Sequence, residues 1–103
     1  MAKPRNPAPE PPARPLGLLT TTRYDKDAER AQKRRLDLRR LVTVVATLRS
    51  RQPLAARHRD HPLTGDWAGF RECHIQPDWL LIYHVDGDDL ILDRTGSHSD
   101  LFG

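Results

Sequence analysis

Residues 79–94 read WLLIYHVDGDDLILDR, and this stretch decides the fold. Trp79–Val85 is nearly continuous apolar sequence, which suits a central strand buried on both faces. Asp86-Gly87 is a hairpin turn signal, and Leu90–Arg94 supplies the returning strand. Upstream, Phe70–Ile75 alternates polar and apolar residues, the period of a further strand, and Gln76-Pro77 breaks it from the next. Three strands joined by such short links must be antiparallel neighbours. Thr95-Gly96 ends the last strand, and the chain finishes on Leu101-Phe102-Gly103.

Further upstream the period changes. Tyr24 to Arg35 is rich in helix formers, including Ala28, Glu29, Ala31, Gln32 and Lys33. Asp25, Asp27 and Glu29 precede Lys33, Arg34 and Arg35, the charge order that a helix dipole favours. A second helix is expected from Leu36 to Ser50, with Leu38, Leu41, Val45 and Leu48 facing the core and Arg39, Arg40 and Arg49 mostly on the other side. The β-branched run Val42–Val45 also suits a strand. Leu16–Thr21 reads as a short first strand. Pro53 and Pro62 bracket a polar linker, and Gly65-Asp66 marks a turn. The predicted order is β-α-α-β-β-β. This is an α+β sandwich of two layers, with two helices on one face of a twisted, mainly antiparallel sheet of about four strands.

The chain has 103 residues, enough for one domain. Residues 1–15 hold six of the nine prolines and are expected to form a disordered or polyproline-like tail, leaving 16–103 as the folded unit. No apolar run approaches the roughly 20 residues that span a bilayer, so no membrane partner is expected. The N-terminus has no apolar core like that of a signal peptide. The single cysteine, Cys73, excludes an intramolecular disulfide, and a cytoplasmic location is the expectation. Charge is segregated. Residues 1–60 hold 15 Lys/Arg against 6 Asp/Glu, whereas residues 61–103 hold 2 against 8. A basic first half points to a polyanionic partner.

Five histidines stand out: His58, His61, His74, His84 and His98. Imidazole exchanges protons near neutrality, and three of the five fall at element ends, where strands of one sheet can converge. These are His61 before Pro62, His74 before the turn carrying Asp78, and His98 after the last strand. Each taken singly has an ordinary surface or hydrogen-bonding role; the set is what points to chemistry. His84, within the apolar strand, reads as structural or surface-facing. A zinc site has poor spacing, because the neighbours Cys73 and His74 point to opposite faces of a strand, so no metal or other cofactor is expected. Cys73 within a strand reads as packed, not reactive. No Gly-rich phosphate loop or nucleophile elbow is present. The inventory suits RNA cleavage without a metal. That reaction needs a base for the 2′-hydroxyl, an acid for the leaving 5′-oxygen and cations for the phosphate. Arg71 and Arg94, the only basic residues of the acidic half apart from histidine, lie close in sequence to His74 and His98 and are the candidate phosphate ligands. Phe102 is a candidate platform for a splayed base.

The stretch DHPLTGDWAGFRECHIQPDWLLIY (residues 60–83), the tail RTGSHSDLFG (94–103) and AQKRR (31–35) resemble the YafQ branch of the RelE/ParE toxin superfamily. The resemblance covers about residues 23–103. It implies a small bacterial toxin of a type II toxin–antitoxin module, an endoribonuclease that cuts messenger RNA in the ribosomal A site and is silenced by a cognate antitoxin. It implies operator DNA as a partner only for the toxin–antitoxin complex. The branch's catalytic histidines fall on His61, His74 and His98, its carboxylate on Asp78 and its terminal aromatic on Phe102. His98 is then the expected acid, with His61, His74 and Asp78 left open as the base. The proline-rich tail departs from the family pattern. The alternatives of the same fold are a gyrase poison like ParE, which the histidine set disfavours, and a nucleic-acid-binding corepressor.

Overall fold

The structure, a computed structural model, describes residues 14–103; the predicted proline-rich tail lies almost wholly outside them. Strand β1 (Gly17–Thr20) leads into helices α1 (Thr22–Lys33) and α2 (Leu38–Arg49). A 3-10 turn (Ala56–His58) precedes the two-residue strand β2 (His61–Pro62), and another (Gly65–Trp67) follows it. Strands β3 (Arg71–Gln76), β4 (Trp79–Asp86) and β5 (Asp89–Gly96) form the meander, and α3 (His98–Phe102) closes the chain. The sheet order is β1-β5-β4-β3-β2, with β1 parallel to β5 and every other pair antiparallel.

Local chemistry sets the helix limits. The Thr21 hydroxyl caps α1 by accepting the Tyr24 N–H at 3.0 Å, and the Asp37 carboxylate caps α2 by accepting the Arg39 N–H at 3.1 Å. Arg35 and Arg51, at φ 60° and 59°, turn the chain out of each helix. Leu41, Val44, Val45 and Leu48 of α2 are buried, as is Leu16 ahead of β1. They pack on the sheet face that carries Cys73, Ile75, Trp79, Leu81 and Tyr83. The opposite face carries Leu80 and Ile82 beneath Leu101 of α3, with Leu63, Trp67 and Phe70 packed against them. Strand β4 is thus covered on both sides, which explains its unbroken apolar run.

Three differences from the sequence reading bear on the site. The sheet has five strands, because residues 61–62 pair with β3 opposite Arg71 and Glu72. The terminal segment is helical, nucleated by a capping box between Ser97 and Asp100. The β4–β5 turn is centred on Gly87-Asp88, since Asp86 pairs with Asp89.

Candidate active site

The β3–β4 turn is two residues long, because Gln76 pairs with Trp79; it therefore holds Asp78 at the end of the sheet. Strand β5 ends at the same edge, where α3 begins with His98. The two meet directly. The His98 backbone N–H donates to Asp78 Oδ1 at 2.9 Å, and His98 Nδ1 lies 2.6 Å from the same oxygen. A carboxylate oxygen can only accept, so Nδ1 carries the proton and donates it. Nε2 is then left facing outward for proton transfer. The backbone N–H first, and then the ring, hold the Asp78 carboxyl below its ordinary range.

The His74 ring lies 5.7 Å from the His98 ring, centroid to centroid. Its Nδ1 donates to the Pro77 carbonyl at 3.2 Å, and its Nε2 lies 3.4 Å from Glu72 Oε1. His61 repeats the pattern from β2. Its Nδ1 donates to the Pro62 carbonyl at 3.1 Å, and its Nε2 lies 3.7 Å from the same Glu72 oxygen. Glu72 is 5% exposed. One buried carboxylate thus faces two imidazoles whose other nitrogens are tied to backbone carbonyls. Ligand atoms of His61, Glu72 and His74 all lie within 4.8 Å of one another. This set fits a proton relay. It also fits a divalent cation, because each imidazole presents Nε2 while its Nδ1–H is held by a carbonyl.

Glu72 is the residue that sequence reasoning missed. The signal was present: Glu72 and His74 are two apart on one strand and so share a face. Phe102, on α3 and 46% exposed, is open to a stacking partner.

The two arginine assignments are corrected by the structure. Arg94 is 9% exposed, and its Nε and Nη2 donate to Asp27 Oδ2 and Oδ1 at 2.6 and 3.1 Å. It ties β5 to α1 and is already neutralised there. Arg71 lies on the opposite face of β3 from Glu72 and His74. It donates through Nε to Asp60 at 3.2 Å, beside the Tyr83 hydroxyl, which donates to the same oxygen at 2.6 Å. That network anchors the residue preceding His61 and leaves Arg71 turned away from the histidines. The remaining histidines and Cys73 have structural places. His58 Nδ1 donates to the His74 carbonyl at 2.6 Å, and His84 bonds to Asp93 at 2.7 Å. Cys73 is fully buried, and burial pushes its thiol up to about 12.

A histidine oriented by a carboxylate, beside an imidazole–carboxylate cluster at one end of a small α+β domain, suits an enzyme that works by acid–base catalysis. The comparisons specify it further. The sequence profile of "Bacterial toxin of type II toxin-antitoxin system, YafQ" matches residues 17–103. The chain belongs to this family. It is 44% identical to the mRNA interferase toxin YafQ of Escherichia coli K12 over 81 residues, 78% of this chain and 88% of that one. It is similar to the toxin in the E. coli DinJ–YafQ toxin–antitoxin complex, with a TM-score of 0.79 and 40% identity over 85% of this chain and 98% of the other. It is also similar to a copper-bound mutant toxin from Helicobacter pylori, with a TM-score of 0.82 and 45% identity over 84% and 99% of the two chains.

Proposed function

We propose that this toxin is a ribosome-dependent endoribonuclease that cuts messenger RNA by general acid–base catalysis. The observation that carries the reading is the Asp78–His98 pair set 5.7 Å, ring to ring, from His74. A phosphodiester lying across the two rings would meet a proton donor at one and an acceptor at the other. The His61–Glu72–His74 cluster takes the 2′-hydroxyl proton, and the 2′-oxygen attacks phosphorus. The P–O5′ bond breaks, and His98 Nε2 delivers its proton to the departing 5′-oxygen. The products are a cyclic 2′,3′-phosphate and a 5′-hydroxyl. Asp78 positions His98 and stabilises its imidazolium, and Phe102 stacks a base of the strand being cut. A cognate antitoxin, a partner like that in the E. coli DinJ–YafQ complex, silences this toxin. Operator DNA is a partner of this toxin only when it is bound to its antitoxin. The site of action is the cytoplasm.

The test is induced expression in a bacterial host, wild type beside His98→Ala, with primer extension on a reporter message. Cleavage at fixed codon positions is expected from wild type, and it should vanish in the variant or when translation is blocked. Growth arrest with intact message would overturn the nuclease reading in favour of a gyrase poison.

A further inference from the structure

With Arg71 and Arg94 committed elsewhere, the site needs another source of cations. A cavity of about 490 Å³ opens on the edge of the sheet next to His74. It lies beside β3 beyond Glu72, the last residue that pairs with β2. One wall is α2, through Arg40 and Thr43. Another is the turn holding Arg57, His58 and Arg59, and the floor is the end of β3 from His74 to Pro77. His58 pins that turn to the strand through the His74 carbonyl. Arg59 sits at φ 45° and ψ 46°, a left-handed conformation that reverses the chain while Arg57 and Arg59 both line the cavity.

The cavity gathers cations that no described carboxylate holds. Arg30, Arg34, Arg39, Arg51, Arg71 and Arg94 each pair with a carboxylate. Arg40, Arg57 and Arg59 form no ion pair with a described residue, all three are exposed, and no carboxylate lines the cavity. Three guanidiniums without an ion pair therefore share one groove with His74. A guanidinium presents a planar fork of donors that matches phosphate oxygens.

We propose that this groove is a phosphodiester track, in which Arg40, Arg57 and Arg59 hold backbone phosphates of the RNA strand flanking the bond cut beside His74. The inference rests on the nuclease reading for its ligand and adds the place where that ligand is gripped.

The test uses the full chain and a variant carrying Arg40→Gln, Arg57→Gln and Arg59→Asn. Asn is chosen at position 59 because it tolerates the left-handed conformation. Unchanged melting establishes that the variant is folded. The probe is a fluorescent single-stranded RNA with 2′-O-methyl groups, which cannot be cut, titrated by anisotropy over a range of salt. Loss of three phosphate contacts on a single strand should flatten the log K against log salt slope by about 2 and weaken binding by about tenfold or more at low salt. A control with Arg23→Gln, Lys26→Gln and Lys33→Gln removes the same charge outside the cavity and should keep most of the slope. On programmed ribosomes the groove variant should raise KM and leave kcat nearly unchanged. An unchanged salt slope overturns the proposal. So does a defect confined to ribosome binding without message, which would assign the groove to ribosomal RNA. The two readings fail separately. If wild type binds the probe through these arginines yet cuts nothing, the track stands and the nuclease reading falls. If wild type cuts and the groove variant matches it in slope and KM, the track falls alone.

Discussion

Replacing Asp27 with Asn tests whether Arg94 belongs to the architecture or to the chemistry. Asp27 is 5% exposed and accepts from four donors: Arg94 Nε and Nη2, the Thr95 N–H at 3.1 Å and Arg30 Nη2 at 3.0 Å. Asn keeps the shape and removes the charge, which strands the nearly buried Arg94 cation. Breaking a buried pair in this way costs about 3–5 kcal/mol, whereas replacing both partners with apolar groups is close to neutral. For a domain of this size about 4–8 °C of Tm accompanies each kcal/mol, so the variant should melt at least about 12 °C lower. A second variant, Asp27→Leu with Arg94→Met, should recover part of that loss, less about 1–3 kcal/mol for the buried Thr95 N–H left without an acceptor. The assay is thermal and urea unfolding in a His98→Ala background, so that cells survive expression. A loss below about 1 kcal/mol for Asp27→Asn, or no recovery in the apolar pair, would refute the reasoning and return Arg94 to the phosphate.

Other outcomes follow from the same geometry. Cys73 should resist a thiol reagent at pH 8 in the folded protein and react once denaturant is added, since it is fully buried with its thiol raised to about 12; rapid labelling of the native chain would contradict its placement. Copper or zinc ions should bind at His61, Glu72 and His74 and inhibit RNA cleavage, because they occupy the Nε2 atoms that the relay needs; His61→Ala should lower the affinity measured by calorimetry, and stimulation by the metal would contradict the relay. Asp100 accepts from both Arg34 Nη atoms at 2.6 and 3.1 Å and from the Ser97 N–H, which hold its carboxyl far below the ordinary range. A lowered folded-state pKa gives stability that is present above the unfolded value and lost as pH falls through the folded one. Asp100→Asn should therefore lower stability by about 1 kcal/mol at pH 7, with the deficit shrinking in strong acid; a pH-independent deficit would contradict the linkage.

Much of the fold was legible because periodicity carries it. The β4–β5 hairpin announced itself through an apolar run that only a strand covered on both faces uses, and α2 through Leu41, Val45 and Leu48. What escaped was structure fixed by partners at a distance. Strand β2 is two residues long, one of them proline, and exists only because β3 lies alongside it. Helix α3 is five residues long, too short for any period, although Ser97 and Asp100 stand at capping-box spacing. The parallel pairing of β1 with β5 spans most of the chain, and nothing local encodes it.

The site divides along the same line. His61, His74, Asp78 and His98 were visible as candidate proton-transfer groups because element ends are visible, and the structure gathers all four at one end of the sheet. The cations were not, because sequence proximity is a poor guide to direction on a strand. Arg71 is three residues from His74, and odd spacing on a strand puts two side chains on opposite faces. Arg94 turns to α1, where Asp27 accepts its guanidinium from 67 residues away in the chain. The positive charge of the first half is thus not one surface. Part of it pairs with carboxylates of the same chain, two of them from the acidic second half, as in Arg34–Asp100 and Arg51–Asp88. A count of charges points to a polyanionic partner; only the pairing says which cations are left to meet it. By that criterion the ungripped guanidiniums of Arg40, Arg57 and Arg59, next to His74, are better placed to meet RNA than either arginine close to the histidines in sequence.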